Sequence, residues 1–129
     1  MVDNPFRLRT PLGRVRSLGS ARSGTTEAWL MHVTSLALFP LTIGFVWLVL
    51  DLVHRDYNGV RAALERPASA ILLLAFVLTG IFHMELGMRS VVVDYIQGQA
   101  RAWALAANTL FCALLAVACA YATLRIAFT

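Results

Sequence analysis

Three long apolar runs dominate this sequence, and each is close to the length that a helix needs to cross a bilayer. They extend over about residues 29–53, 68–93 and 102–128. Roughly 20 apolar residues span the hydrocarbon core as a helix. Lipid offers no partner for bare backbone N–H and C=O groups, so such runs must be helical. We therefore predict an all-α membrane protein with three transmembrane helices.

Composition supports this class. Hydrophobic residues make up 59% of the chain, whereas a soluble domain has roughly 45–50%. The net charge is +4 and every basic residue is arginine. A basic balance can indicate nucleic-acid binding, but a polar, arginine-rich tail that leads into an apolar run fits a membrane flank better, and we expect no nucleic acid. We divide the chain into a tail, residues 1–26, and a three-span domain, residues 27–129.

The placement of arginine predicts the orientation of the spans. Five arginines precede the first run: Arg7, Arg9, Arg14, Arg16 and Arg22. Three lie in the connection 54–66, and Arg101 lies in the connection 94–101. Because cytoplasmic segments carry the excess of arginine and lysine, we expect the N-terminus and the second connection in the cytoplasm. The first connection and the C-terminus would then be periplasmic.

A stripe of chemically distinct residues runs along the second span. With His83 at 0°, a helix places Gly87 at about 40°, Ser90 at about −20° and Asp94 at about 20°. Histidine is the commonest metal ligand, and ionisable groups inside a membrane are candidate functional residues. The alternative is that His83 only hydrogen-bonds to another helix, as polar side chains in bundles often do.

Depth separates the two ends of this stripe. His83 precedes Asp94 by about 16 Å along a helix, which puts His83 near the midplane and Asp94 and Tyr95 at the cytoplasmic interface. Asp94 could simply end the helix. Residue type alone favours Tyr95 as an ordinary interfacial aromatic, but its hydroxyl can also donate to a quinone carbonyl that arrives from the lipid.

The other polar and sulfur-containing residues of the spans are predicted to have structural roles. Glu85 and Arg89 have the spacing of a helical ion pair and face away from the His83 stripe. We expect Asn108 to hydrogen-bond to a neighbouring helix. Cys112 and Cys119 are too far apart on one helix for a disulfide and should pack as small apolar residues.

The other two histidines have no specific predicted role. His32 is expected to have an interfacial polar role, although it could contact a second metal or a cofactor carboxylate. His54 should be solvated in the first connection, where Asp56-Tyr57-Asn58-Gly59 indicates a turn. The sequence has no nucleotide-binding, metalloprotease or hydrolase motif. We therefore expect no catalytic residue in this chain.

A resemblance to a known family rests on one motif in the segment FHMELGMRSVVVDYI. The motif consists of His83, Gly87, Asp94 and Tyr95. A second stretch supports it: Gly19-Ser-Ala-Arg-Ser-Gly24-Thr25, then Trp29, then Val33-Thr-Ser-Leu. With these residues the chain resembles the small hydrophobic membrane anchor of succinate dehydrogenase, respiratory complex II, of the alphaproteobacterial and mitochondrial-like type. The resemblance extends over the tail, all three spans and the length.

The resemblance implies site residues, cofactors and partners. His83 would be an axial ligand of the iron of haem b, with Gly87 and Ser90 packing against the haem. Tyr95 and Asp94 would help to bind ubiquinone. The partners would be a second, cytochrome b-type anchor, which completes a larger helical bundle, an iron–sulfur subunit and a flavoprotein. FAD and the iron–sulfur clusters would belong to the last two of these partners.

Function and location are implied in the same way. The chain would anchor a succinate:quinone oxidoreductase in the bacterial inner membrane, as a subunit of the enzyme without activity of its own. Two alternatives stay open, namely a fumarate reductase anchor and a three-helix membrane scaffold without haem. Many relatives have Arg where this chain has His32, so a role of that Arg does not carry over. No other histidine is expected at midplane depth, so a partner must supply the second axial ligand or the haem is five-coordinate.

Overall fold

The computed structural model describes residues 22–128, and it describes their side chains from Thr25 onward. Four helices account for nearly all of this part of the chain: α1 (Arg22–Val53), α2 (Tyr57–Leu64), α3 (Pro67–Tyr95) and α4 (Gln99–Phe128). The described residues contain no strand. Within these residues, three segments are long and apolar enough to cross a membrane: Thr25–Val53, Pro67–Tyr95 and Gln99–Phe128. The predicted all-α fold with three membrane helices is confirmed.

The chain divides into two units, Met1–Leu30 and Met31–Thr129. The described part of the first unit is the beginning of α1. The second unit holds the rest of α1 and the other three helices. The predicted tail, residues 1–26, lies largely outside the described residues, although α1 already begins at Arg22.

The first connection is a short helix, whereas the sequence predicted a turn at Asp56–Gly59. Asp56 has extended backbone angles, and its Oδ1 accepts the N–H of Gly59 at 3.0 Å. That bond satisfies a donor that the first turn of a helix would otherwise leave unbonded. The turn prediction was therefore wrong at this segment, because Asp56 caps the N-terminus of α2.

Two ion pairs flank this short helix. Arg55 donates to both carboxylate oxygens of Asp51, the shorter contact being 2.8 Å, and Arg61 donates to Glu65 at 3.0 Å. The bond to Asp51 raises the pKa of Arg55, and the bond to Glu65 raises the pKa of Arg61. Both pairs are exposed and therefore contribute little to stability.

The second connection is a tight turn. Helix α3 ends at Tyr95, where the N–H of Ile96 donates to the carbonyl of Val92 at 3.0 Å. Gly98 has φ +67°, a left-handed conformation that costs little only for glycine. The N–H of Arg101 donates back to the carbonyl of Gly98 at 3.3 Å. The chain thereby reverses direction and starts α4 within a few residues.

Helices α1 and α3 pack closely at one glycine. A Cβ added at Gly44 would lie 2.9 Å from Leu72 Cδ1, so a larger residue there would require the Leu72 side chain to move. Next to it, the rings of Phe45 and Phe76 stack with centroids 4.4 Å apart and planes 10° apart. Small residues at helix contacts are typical of membrane bundles, where van der Waals packing drives association.

Polar side chains join α3 to α4. Asn108 is buried, and its Nδ2 donates to the carbonyl of Glu85 at 3.1 Å. The hydroxyl of Thr109 donates to Oε1 of Glu85 at 3.0 Å. The interhelical bond predicted for Asn108 is thus confirmed. Cys112 and Cys119 are not in a disulfide, and Cys112 is buried beside Asn108, as predicted.

Candidate functional site

His83 lies in α3 against a buried threonine of α1. Its Nδ1 is 2.8 Å from Oγ1 of Thr34, which is only 7% exposed. The same hydroxyl donates to the carbonyl of Met31, three residues earlier, at 3.0 Å. A hydroxyl has one proton and two acceptor sites. When that proton points to Met31, Thr34 can only accept from His83, so Nδ1 is the protonated nitrogen and Nε2 keeps its lone pair.

This arrangement suits a histidine that binds a metal. Metal-binding histidines use one ring nitrogen for the metal and generally donate the other N–H to a nearby oxygen. Here Thr34 supplies that oxygen within the chain. The bond is also the interhelical hydrogen bond of the alternative interpretation, but it occupies Nδ1 alone. His83 therefore fits an axial ligand that coordinates through Nε2.

The other members of the stripe follow His83 along the same unbroken helix. Gly87 is half-buried, and a Cβ built on it meets no atom of the described residues within 4 Å. Packing within this part of the chain therefore does not require glycine there. Ser90 and Asp94 are exposed. The stripe thus presents small and polar groups, and the described residues leave room beside it at Gly87.

Tyr95 is the last residue of α3 and is 84% exposed. It lies about 18 Å from His83 along the helix. The exposed carboxylate of Asp94 precedes it, and the tight turn at Gly98 follows. An exposed phenol at the end of a membrane helix can contact an amphipathic molecule at the interface, a partner protein or the lipid headgroups.

Among the described residues, His83 is the one histidine at this site. Within residues 22–128, no cluster of three or more His, Cys, Asp or Glu side chains is arranged to hold a metal ion. A porphyrin supplies four ligands of its own and needs only axial ones from protein. A lone histidine at mid-span is therefore compatible with haem and incompatible with a protein-only metal cage built from these residues.

The remaining histidines lie elsewhere. His32 is exposed and lies two residues before Thr34, so the two side chains project about 160° apart around α1. This rotation separates His32 from the His83 contact. His54 is exposed in the connection after α1, as predicted.

An open groove lies between α2 and the C-terminal end of α4. Its volume is about 530 Å³, and Tyr57, Arg61, Tyr121 and Arg125 are among its lining residues. It is distant along the chain from the His83 stripe. None of the residues that line the groove belongs to that stripe.

Two threonines took part in contacts that sequence reasoning missed. Thr34 occurs in the family-like stretch but received no role, and the partnership of Thr109 with Glu85 was not predicted. A polar pair within an apolar span, Thr34-Ser35 and Asn108-Thr109, is the signal that could have drawn attention to each. The ion pair predicted between Glu85 and Arg89 stays a prediction.

The helices define a class of protein, a three-span membrane protein, and this one has a histidine hydrogen-bonded at mid-span. Residues 7–119 match the family described as "Succinate dehydrogenase/Fumarate reductase transmembrane subunit". The chain belongs to this family.

Relatives across most of the chain agree with the family. The chain is 32% identical over 120 residues to the succinate dehydrogenase hydrophobic membrane anchor subunit of Paracoccus denitrificans, covering 93% of each chain. It is 31% identical over 91 residues to the protein of the same name from Rickettsia bellii, covering 70% of this chain and 73% of the relative. The identity to the homologue from Rickettsia conorii is 28% over 92 residues. No solved structure matches the chain significantly.

Proposed function

We propose that this chain is a membrane anchor of a succinate:quinone oxidoreductase in the bacterial inner membrane, and that it helps to bind haem b and ubiquinone. Membership of the family and the name shared by its relatives support the anchor role. The relatives are named for succinate dehydrogenase, which favours this reaction over fumarate reduction. Succinate oxidation would take place on a flavoprotein partner, so this chain contributes to the membrane half of the reaction.

The hydrogen bond between His83 and Thr34 is the observation that carries the haem assignment. It directs Nδ1 to an oxygen of the protein and leaves Nε2 available to an iron. His83 would be one axial ligand, and a histidine of a partner anchor would supply the other. Gly87 and Ser90, on the same stripe, would lie against the porphyrin. Haem b would supply one-electron redox chemistry next to the quinone.

Ubiquinone would bind at the cytoplasmic end of α3. The hydroxyl of the exposed Tyr95 would donate to a quinone carbonyl that enters from the lipid, and the carboxylate of Asp94 would support the same site. Oxidation of succinate to fumarate releases two electrons and two protons. The quinone takes up two electrons through the iron–sulfur subunit and two protons to become the quinol. Tyr95 would hold the head group while its oxygens gain charge.

The partners follow from this arrangement. A cytochrome b-type anchor would complete the helical bundle and the haem site. The iron–sulfur subunit, with the flavoprotein behind it, would dock on the cytoplasmic face, near the turn at Gly98. FAD and the iron–sulfur clusters would reside in those two proteins.

Replacement of His83 tests the proposal. In the purified complex, His83→Ala should remove or loosen haem b, measured as the reduced-minus-oxidised α-band per flavin. His54→Ala is the matched control, because His54 is exposed outside the spans, and it should leave the haem content unchanged. A full haem complement in His83→Ala would overturn the haem assignment. A wild-type complex without any haem would instead favour the plain membrane scaffold.

A further inference from the structure

The hydroxyl of Thr34 bonds to two groups at once, and this dual role points beyond the proposed haem ligation. The three atoms form a continuous chain: His83 Nδ1, Thr34 Oγ1 and the carbonyl of Met31, with separations of 2.8 and 3.0 Å. We propose that Thr34 is the positioning residue that sets the tautomer and the ligand strength of His83. This inference rests on the proposed function, because it describes how His83 would act toward a haem iron.

Proton counting makes the role specific. Iron coordination requires the lone pair of Nε2, so the neutral ring must carry its proton on Nδ1. That proton needs an acceptor, because an unsatisfied polar group in lipid is costly. Thr34 can accept it because its own proton goes to Met31. Each donor then has one acceptor, and the coordinating tautomer is the one in which both contacts of the Thr34 hydroxyl are hydrogen bonds.

Burial makes the contact persistent. Thr34 is only 7% exposed and lies in an apolar span. Water cannot compete for its hydroxyl there, and hydrogen bonds of low-dielectric interiors are stronger than those in water.

Thr34 and His83 also lie at similar depths, measured from the side of the first connection. Thr34 lies about 29 Å along α1 from its end at Val53, and His83 lies about 24 Å along α3 from its start at Pro67.

The bond has an electronic consequence for the ligand. An oxygen that accepts the Nδ1 proton increases electron density on the imidazole and makes Nε2 a stronger donor. A stronger donor favours ferric over ferrous iron and therefore lowers the reduction potential of the haem. Loss of the acceptor should raise that potential and loosen the haem. Outer partners of metal-bound histidines typically contribute roughly 10- to 100-fold to metal affinity.

Two substitutions at Thr34 separate the hydroxyl from the shape of the side chain. Thr34→Val keeps the β-branched shape and removes the hydroxyl, whereas Thr34→Ser keeps the hydroxyl. Thr42→Val is the matched control, since Thr42 lies on the same helix and its hydroxyl donates to Leu38 O, four residues back, at 2.7 Å. Thr42 differs in being exposed.

The experiment measures the haem midpoint potential of the purified complex and the rate at which haem passes to an excess of a scavenging globin. Thr34→Val should raise the potential and speed haem loss by roughly 10- to 100-fold. Thr34→Ser and Thr42→Val should stay close to the wild type. Unchanged values in Thr34→Val, or equal changes in Thr42→Val, would overturn the positioning role.

The same preparations distinguish this failure from failure of the proposed function. If His83→Ala loses its haem while Thr34→Val behaves as wild type, His83 is the ligand and Thr34 has no positioning role. If His83→Ala keeps a full haem complement, the haem assignment itself fails and Thr34 forms only an interhelical bond.

Discussion

His83 and Tyr95 lie on one helix but in different surroundings. The imidazole is half-buried at mid-span and bonds to Thr34, whereas the phenol is 84% exposed where the helix ends. A polar group in the apolar core must find a partner in protein, and a group at the interface can use water or a ligand. The haem and quinone contacts proposed for these two residues would therefore not need a shared hydrogen-bond network.

Loss of the Tyr95 hydroxyl should impair quinone reduction selectively. Tyr95→Phe keeps the ring and removes a bond worth about 0.5–1.5 kcal/mol. Since 1.36 kcal/mol is one decade in rate, quinone reductase activity should fall by roughly tenfold. Succinate oxidation with a soluble acceptor, measured on the same preparation, should be retained because the flavin is on another protein of the complex.

A second phenol on the chain provides the control for that experiment. Tyr121→Phe removes an exposed hydroxyl on α4, far from the end of α3, and should change neither activity. A parallel fall of both activities in Tyr95→Phe would indicate a role in assembly. Normal activities in both variants would mean that quinone binds elsewhere.

The sequence predicted single-helix features and an interhelical bond for Asn108, but it did not predict which residues meet between helices. Helical periodicity alone placed His83, Gly87 and Asp94 on one face, and the burial cost of an amide predicted a partner for Asn108. The contact between Thr34 and His83 depends on how α1 is rotated against α3. Those residues are 49 positions apart, and no period in the sequence relates the two rotations.

At the scale of elements, one residue in each connection between the spans fixes the local backbone: Asp56 in the first and Gly98 in the second. Asp56 illustrates why its segment was predicted as a turn. A carboxylate that accepts a backbone N–H a few residues later starts a turn or a helix with the same bond. The outcome depends on the residues that follow, and Val60 to Leu64 continue as helix. Gly98 in the second connection is different, because its left-handed backbone conformation by itself favours glycine.

Substitution of Gly98 should test that requirement. Gly98→Ala places a Cβ at φ +67°, where the penalty is roughly 1–2 kcal/mol for an L-residue. Gly98→Asn should cost less, because asparagine visits this region more readily. A Cβ at this position meets no atom of the described residues within 4 Å, so steric contact within the chain does not confuse the comparison.

The stability of the complex can be measured by unfolding it in mixed micelles that contain an increasing fraction of a denaturing detergent. We expect the order wild type, then Gly98→Asn, then Gly98→Ala, from most to least stable. If alanine were tolerated as well as glycine, the turn would not depend on the left-handed conformation.

For the molecule as a whole, the distribution of arginine predicts orientation. The connection of residues 54–66 should face the periplasm, and the turn at Gly98 should face the cytoplasm. Asn58→Cys should react with a membrane-impermeant maleimide in intact cells, because Asn58 is exposed. The matched variant Gln97→Cys, exposed in the other connection, should resist labelling until the membrane is opened.

The two native cysteines lie inside α4, and Cys112 is buried, so the background reaction should be low. Labelling of Gln97→Cys in intact cells, with Asn58→Cys protected, would reverse the orientation. The quinone site proposed at Tyr95 would then lie on the side away from a cytoplasmic electron donor.

The near-equal lengths of the spans bear on membranes of different thickness. The candidate spans have 29, 29 and 30 residues, about 44–45 Å each as helices, whereas a typical hydrocarbon core is roughly 30 Å thick. Helices longer than the core accommodate it by tilting. Because no span is much shorter than the others, a change of thickness should tilt them together. The contact between Thr34 and His83, which joins two spans at similar depth, would then persist in thin and thick bilayers alike.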